Sequence, residues 1–258
     1  MKKTKSNLDI ILPILFIVGL LLIWEMIIEL GAIEKYIMPA PSDIIMALFK
    51  DFRAMIPHII TTLYESIIGF GIAVILAVIL AIIMDLMPMV KKAVYPVFII
   101  SQTVPIIALA PLFIIWFGFG TLPKIIVVVI VCFFPIVISL SDGLENVDKD
   151  LINHFKLMGA SKLKRFFHLK LPYGIINFFS GLRIAATYSI MGAVIGEWLG
   201  GDKGLGVYMT RARSTYALDK MFAAILVIVI MSMFIFYVIG VLEKILTPWN
   251  RENNNSHK

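Results

Sequence analysis

The side chains that could carry covalent or metal chemistry are few in this sequence. The one cysteine, Cys132, lies in an apolar run with no neighbouring His or Asp that could activate it as a nucleophile. The histidines are too scattered for a metal site, and no His-Glu-x-x-His pattern occurs; they are His58, His154, His168 and His257. No Gly-x-x-x-x-Gly-Lys-Ser/Thr loop occurs either, so any ATP hydrolysis must come from another chain. The sequence therefore predicts no catalytic residue and no metal ligand.

The other candidates are charges inside apolar stretches. Arg183 and Glu197 occupy one such stretch, and ionisable groups within a membrane are functional candidates by default. At ~1.5 Å rise per residue they lie about 21 Å apart on a helix, so they cannot pair with each other. Each is expected near its own interface, where snorkelling or a loop hydrogen bond satisfies it. The same interfacial interpretation applies more strongly to Glu65.

The elements that position these groups are predicted to lie in a membrane. Of the 258 residues, 60% are hydrophobic and 16% are charged, and the mean hydropathy is +0.96. Soluble chains average about 45–50% apolar and roughly 25% charged residues, so a soluble fold and a disordered chain are excluded. In a membrane protein, a net charge of +6 indicates basic cytoplasmic loops rather than nucleic-acid binding.

Six stretches are long and apolar enough to span a bilayer as helices. The second is expected to start a turn or two before its charge-free part, near Ile59. The third is too long for one straight span, and Pro96, Pro105 and Pro111 should kink or break it. The six candidate spans are residues 10–30, 66–84, 93–123, 125–141, 178–199 and 221–242.

The distribution of basic residues predicts the orientation of these spans. Of the 23 Lys and Arg residues, 15 fall on the side that holds the N-terminus, the long loop and the C-terminus. Because cytoplasmic loops carry the excess of Lys and Arg, both termini are expected in the cytoplasm. The protein is therefore predicted to be a multi-pass membrane protein.

The long loop at residues 142–177 keeps a helical rhythm. Leu151, Phe155 and Met158 recur at helical spacing before the Gly159-Ala160-Ser161 break. Leu163, Phe167 and Leu171 do so after it, and Pro172 is expected to end this second helix. Two short amphipathic helices of this kind could lie on anionic lipid, or they could insert an apolar ridge into a soluble partner; the pattern alone favours neither.

The spacing within this loop resembles that of the permease subunits of type I ABC importers. Their pattern is Glu-Ala-Ala, three residues, Gly, then nine residues to an aliphatic position and, one residue on, Leu-Pro. Here Asn153-His154-Phe155 stands at the Glu-Ala-Ala position, followed by Gly159, Leu169 and Leu171-Pro172. The Glu of the family is replaced by Asn153, which removes a charge from the expected docking surface.

Further short motifs resemble those of the permease branch that transports aliphatic sulfonates, taurine, nitrate and pyrimidine precursors of thiamine. The resemblance rests on the order and spacing of the whole set. The motifs are Met38-Pro39-Ala40-Pro41-Ser42, the segment from Thr103 to Leu112, Trp116-Phe117-Gly118, Gly181-Leu182-Arg183, Glu197, and Gly204-Leu205-Gly206.

The resemblance implies an all-α integral protein of the bacterial cell membrane, with six transmembrane helices and the type I importer permease fold. It implies a homodimer of permeases, two ATPase subunits that bind ATP and Mg and dock on the glycine loop, and an external substrate-binding protein. This chain would bind no cofactor, perform no catalysis and import a small organic solute by alternating access. A pyrimidine thiamine precursor or a taurine-like sulfonate is the expected substrate.

Two groups of residues are candidates for function. In the first, Gly159 permits a chain reversal and its neighbours would contact the ATPase. The ATPase-docking candidates are Leu151, Asn153, Phe155, Met158, Gly159, Ala160, Ser161, Phe166, Leu171 and Pro172. Some of these apolar side chains could instead only seal the loop against the other helices.

The second group would line the translocation path. Within it, the glycines that recur every four residues could also form a static packing seam between helices. The path candidates are Pro105, Pro111, Arg183, Tyr188, Gly192, Gly196 and Glu197.

The expected organisation has three parts. Residues 1–58 form the first helix and an external linker, residues 59–246 the permease core, and residues 247–258 a cytoplasmic tail. Two rival functions remain. An ion-coupled secondary transporter needs a mid-depth ion site, often with buried carboxylates, and a membrane enzyme needs a paired base and nucleophile.

Overall fold

The computed structural model describes residues 7–249, with side chains from residue 11 onward. The predicted N-terminal lysines, His257 and the tail from residue 250 lie outside the described residues. The described chain is helical throughout, apart from short connections. The helices are α1 Asn7–Glu29, α2 Pro41–Leu86, α3 Pro88–Ser101, α4 Ile106–Phe117, α5 Thr121–Glu145, α6 Lys149–Leu157, α7 Lys162–Arg165, a π-helical turn Phe166–Lys170, α8 Leu171–Gly200, α9 Leu205–Ser214 and α10 Leu218–Leu246.

Five of these segments are individually long and apolar enough to cross a membrane, and the pair α3–α4 makes six if it counts as one span. The two helices of the pair are bent by 102° at the break between them. Pro105 lies at this break, as the residue that precedes α4. Its missing N–H and its restriction on the preceding residue explain why the helix stops there. Pro96 and Pro111, by contrast, lie inside α3 and α4.

Helix α2 begins at Pro41, so the prediction that it starts near Ile59 is wrong. The helix runs for 46 residues and crosses residues 58 and 59 without a break. Its first part carries charges that resemble a loop in sequence, but its two aspartates, Asp43 and Asp51, have cationic partners. Asp51 pairs with Lys220 of α10 at 2.6 Å and accepts a hydrogen bond from Tyr208 of α9 at 3.3 Å.

Helices α5 and α8 form the antiparallel centre of the bundle. Small residues let them touch along their whole length, and the contacts keep a constant register. Gly143 of α5 faces Asn177, and Gly181 of α8 faces Ser139. Gly192 faces Val128 and Val131, and Gly196 faces Lys124. At Gly192, an added Cβ would come within 2.7 Å of the Val131 side chain, so the seam depends on glycine.

The bundle has two distinct ends. At the loop end, α2 and α5 finish and α8 begins; at the linker end, α2, α5 and α10 begin and α8 finishes. Outward-facing side chains between the ends are apolar, with Phe16 at 68% and Phe234 at 66% exposure. Such surfaces suit contact with lipid tails rather than water.

Candidate functional site

The turn after α6 is built by local sequence signals. Ala160 N–H donates to Phe155 O at 3.0 Å and Gly159 N–H to Lys156 O at 2.9 Å, which is the Schellman pattern of a helix C-terminus. Gly159 has φ +74°, the left-handed conformation that this pattern requires. Ser161 then caps α7 by accepting from Lys164 N–H, as expected of a helix N-cap. The predicted glycine turn after the first short helix of the loop is confirmed.

The apolar side chains of this loop divide into an exposed and a buried group. Met158 is 83% exposed and its neighbour Leu157 is 85% exposed, so the tip of the loop presents an apolar surface. Phe166 is 4% exposed and packs in the main hydrophobic cluster of the bundle. It therefore seals the loop against the other helices. The rest of the predicted docking set follows this division. Asn153, Gly159 and Ser161 are exposed, and Leu151, Phe155, Ala160, Leu171 and Pro172 are half-buried.

The predicted end of the second loop helix at Pro172 is wrong. Helical structure continues from Lys162 to Gly200 through the π-helical turn, and Pro172 lies in the first turn of α8. The proline ring is tolerated there because the first turn of a helix lacks acceptors for its N–H groups. The loop is therefore joined to the central helix α8 without a flexible break.

Ion pairs at the loop end tie the loop and the helix ends together. Lys170, in the π-helical turn, pairs with Asp85 at the end of α2 at 2.6 Å. Tyr95 of α3 donates to Asp142 of α5 at 2.7 Å. Together with the burial of Phe166, these contacts fasten the loop to α2, α5 and α8.

An open cavity of about 340 Å³ lies at the break between α3 and α4. Of the predicted path residues, the structure brings Pro105 and Tyr188 together at its wall, and Pro111 does not line it. Gln102 and Ser101 contribute polar groups from the break, and Phe134 contributes an aromatic ring from α5. The remaining lining side chains are Val104, Ile106, Leu109, Ile130, Val131, Pro135 and Met191, so none of the lining residues is charged.

The predicted glycines of α8 lie elsewhere. Gly192 and Gly196 are buried and pack against α5, as the interpretation of a packing seam requires. Arg183 forms an ion pair with Glu243 of α10 and lies near the ring of Phe236. None of the three lines the cavity at the break.

A cluster of buried polar side chains occupies the bundle near the linker end. Glu65 is 0% exposed and Lys124 is 5% exposed, and their ion pair measures 2.7 Å. Glu197 is 1% exposed and accepts from the Thr62 hydroxyl at 2.6 Å and from Gly206 N–H at 2.6 Å. Both carboxylates are enclosed by protein, so neither snorkels to water. For Glu197 the expected alternative, a loop hydrogen bond, is present in the bond from Gly206 N–H.

The connection between α8 and α9 closes over this cluster. Leu205 N–H donates to the Thr62 hydroxyl at 2.9 Å, and the ring Nδ1 of His58 lies 2.8 Å from Gly204 O. Gly204 has φ +128°, and a Cβ there would overlap the carboxylate of Glu197. The motif Gly204-Leu205-Gly206 is therefore required here, because its glycines let the backbone approach Glu197 closely. Burial and the nearby Asp51 raise the pKa of Tyr208 in α9 to about 12, so this phenol stays neutral and donates.

Sequence reasoning missed three parts of this arrangement. The spans predicted at 93–123 and 125–141 leave Lys124 between two helices, and the sequence predicts no role for Thr62 or His58. The sequence does contain a signal that Lys124 belongs to a helix. Lys124 falls one position before the predicted span 125–141, whose 17 residues are few for a helix that crosses a bilayer. Extending that span would have placed the lysine within the membrane.

The described residues hold no arrangement suited to covalent chemistry. Cys132 is fully buried and its Sγ lies 3.3 Å from Ala185 O. Residues 7–249 contain no group of three or more His, Cys, Asp or Glu side chains that could hold a metal ion. What the geometry provides is a cavity at a broken helix, a rigid central helix pair and a loop with an exposed apolar tip.

Comparison with known proteins gives this arrangement its context. The chain is 34% identical over 253 residues to the formylaminopyrimidine transport permease protein ThiX of Halalkalibacterium halodurans, covering 98% of this chain and 100% of the relative. It is 27% identical over 241 residues to the taurine transport system permease protein TauC of Escherichia coli, covering 90% and 87%. An inward-facing structure of the MetNI methionine ABC transporter has the same fold, with a TM-score of 0.66 at 15% identity over 75% of this chain and 96% of that chain.

The family model described as "Binding-protein-dependent transport system inner membrane component" matches residues 73–252, which is more than half of the chain. The matched region contains the α5–α8 pair, the loop and the cavity at the helix break. This result confirms the predicted importer permease fold and excludes the secondary transporter and the membrane enzyme. The chain belongs to the family of binding-protein-dependent transport system inner membrane components, the non-catalytic transmembrane subunits of ABC importers.

Proposed function

We propose that this permease imports a neutral pyrimidine-type precursor of thiamine through the cavity at the α3–α4 break. The identity of 34% to a formylaminopyrimidine permease over essentially the full length of both chains supports the substrate class. The lining of the cavity supports it independently, because Tyr188, Phe134 and Gln102 suit a flat heterocycle with hydrogen-bonding edges.

The same lining argues against a sulfonate as substrate. A sulfonate carries a full negative charge, and a buried charge needs a paired cation. All twelve side chains that line the cavity are uncharged, and Arg183 is already paired with Glu243. A neutral ring loses less on leaving water, and the amide of Gln102 and the Tyr188 hydroxyl can replace part of its hydration.

The loop is proposed as the docking site of the partner ATPase, with the tip around Met158 and Leu157 entering a groove on that subunit. The exposure of these apolar side chains supports the role, since a soluble partner can bury them. Membership of an importer family implies ATPase, binding-protein and second-permease partners, and ATP and Mg belong to the ATPase. The proposed assembly contains two copies of this chain.

The loop end is proposed to face the cytoplasm. The excess of Lys and Arg on that side of the chain supports this orientation. Closure of the ATPases then displaces the docked loops, and α8 follows because no break separates it from the loop. The α5–α8 pair moves as one body and changes which side of the membrane the cavity faces.

The test is ATP-dependent uptake into proteoliposomes that contain the permease, its ATPase and its binding protein. Formylaminopyrimidine should accumulate, and taurine should neither accumulate nor compete. Tyr188→Phe and Gln102→Leu should raise the KM of uptake severalfold. Ile115→Val, at a position 75% exposed on α4 and outside the cavity lining, is the matched control.

Two results would contradict the proposal. Uptake of taurine in preference to the pyrimidine would show that the proposed substrate class is wrong. Unchanged KM values in both cavity variants would show that the substrate does not pass through this cavity, even if the substrate class is right.

A further inference from the structure

A second concave region lies between the loop and the ends of α2 and α3. It consists of two adjoining cavities of about 250 and 580 Å³, which share Asp85, Pro88, Ile152 and Lys170. It is separate from the cavity at the helix break, with which it shares no lining residue. Its basic lining residues are Lys91, Lys92, Lys149, Lys156, Lys162, Arg165 and Lys170.

These seven cations face only two lining carboxylates. Lys170 is paired with Asp85 and Lys91 with Glu145, each at 2.6 Å. Among the described residues, no carboxylate lies within ion-pair distance of the other cations, Lys92, Lys149, Lys156, Lys162 and Arg165. The guanidinium of Arg165 is held in place by its hydrogen bond to Ala160 O at 2.7 Å. The concavity therefore has an excess of five positive charges, which favours the binding of anions.

Apolar residues also line the concavity. Leu86, Pro88, Pro96 and Ile152 are exposed or half-buried and form its apolar wall, and Met84, Val147 and Phe166 line it from buried positions. Lys91 and Lys92 stand in the first turns of α3, where the apolar part of that span begins. Cations beside an apolar wall at the end of a span match an amphiphile with an anionic head and hydrocarbon tails.

We propose that this concavity binds the phosphate of an anionic phospholipid, such as phosphatidylglycerol or cardiolipin, with its acyl chains along the apolar wall. Free phosphate would use the cations alone and leave the wall exposed to water. The charge excess and the wall together favour the lipid.

The lipid site and the docking surface use different faces of α6. Lys149, Ile152 and Lys156 recur at i, i+3 and i+7 and line the concavity. Met158 and Leu157 lie at the exposed tip of the loop and line neither cavity. A bound lipid would therefore join α6 to the ends of α2 and α3 and leave the tip free for a protein partner.

The test measures lipid retention by native mass spectrometry on the purified permease and on the complete transporter. Wild-type protein should retain phosphatidylglycerol in preference to phosphatidylcholine. The triple variant Lys92→Gln/Lys156→Gln/Lys162→Gln should bind phosphatidylglycerol about a hundredfold more weakly. The matched control, Lys164→Gln/Lys203→Gln/Lys244→Gln, removes the same charge from exposed positions outside the concavity and should bind normally.

Four outcomes would overturn the proposal. Equal loss of lipid in both triple variants would show an effect of net charge alone, and full retention in the first variant would place the lipid elsewhere. Displacement of the lipid by inorganic phosphate at equal concentration would identify a free anion as the ligand. Lipid bound to the lone permease but absent from the complete transporter would indicate that an acidic surface of the ATPase fills the site.

Discussion

The two ends of this permease use charge in opposite ways. Near the linker end, the side chains of Lys124 and Glu65 are 6% and 0% exposed and their pair is enclosed with Glu197. At the loop end, the side chains of Lys91 and Glu145 are 20% and 69% exposed, and several lysines have no carboxylate partner. Buried charges demand fixed geometry, whereas exposed ones remain available to lipids and proteins. The linker end is therefore built as a fixed structure and the loop end as a contact surface.

The largest effect is expected from Lys124→Met, which leaves the Glu65 carboxylate buried without its cation. Breaking a buried pair in this way should destabilise the protein by about 3–5 kcal/mol. Thermal unfolding of the purified permease in detergent measures it. The double variant Glu65→Met/Lys124→Met should recover much of the loss, because replacing both partners removes the isolated charge. An unchanged unfolding temperature in the single variant would show that the cluster is not rigidly enclosed.

The next effect is expected from Gly204→Ala at the linker end. The added Cβ would overlap the Glu197 carboxylate and also meet an unfavourable φ, at a cost of about 1–3 kcal/mol. Gly120→Ala is a matched control, because Gly120 has φ +134° but open space around it. Comparison of the two unfolding temperatures separates overlap from backbone strain. Equal shifts would mean that contact with Glu197 contributes nothing.

At the loop end, Gly159→Val should reduce ATP-dependent uptake strongly while the protein still inserts and folds. A Cβ at Gly159 has nothing within 4 Å, so the cost comes from φ +74° alone and amounts to about 1–2 kcal/mol. Asn tolerates this conformation, and Gly159→Asn should keep most of the uptake. Uptake and co-purification of the ATPase are the measurements. Normal uptake by the Gly159→Val variant would show that the turn is not needed to transmit force from the ATPase.

The smallest effect is expected from Lys91→Gln. This change removes the exposed pair with Glu145 and should cost less than about 1 kcal/mol, with the difference shrinking further at high salt. The same thermal assay at low and high salt measures it. A loss as large as that of Lys124→Met would erase the contrast between the two ends.

Much of the structure could be predicted from the composition of the chain and from local sequence patterns. Apolar runs predicted the membrane class and the six spans, with α3 and α4 as one broken span. The Gly159 and Ser161 pattern predicted the turn, because capping depends on neighbouring residues alone. The pairing of Glu65, Lys124 and Glu197 could not be predicted in the same way. These residues are brought together by three different helices, and nothing near each one in sequence identifies its partner.

The docking candidate Phe166 is the residue of the second loop helix that local spacing placed wrongly. Leu163 and Phe167, which are spaced as one apolar face for lipid or a partner, are more than half exposed. Phe166 and Leu169, in the π-helical turn Phe166–Lys170, are buried against the bundle. The early part of α2 was missed because its charges look like loop residues until their partners on α9 and α10 are known.

The unbroken connection from the loop into α8 gives the permease a long lever arm. The 30 residues of α8 extend about 45 Å at the usual rise of an α-helix. A tilt of about 5° at the loop end would move the other end by about 4 Å over that length. That displacement exceeds the radius of a water molecule severalfold. A small stroke at the proposed docking surface would therefore displace the far end of α8 enough to open or close a passage of molecular size.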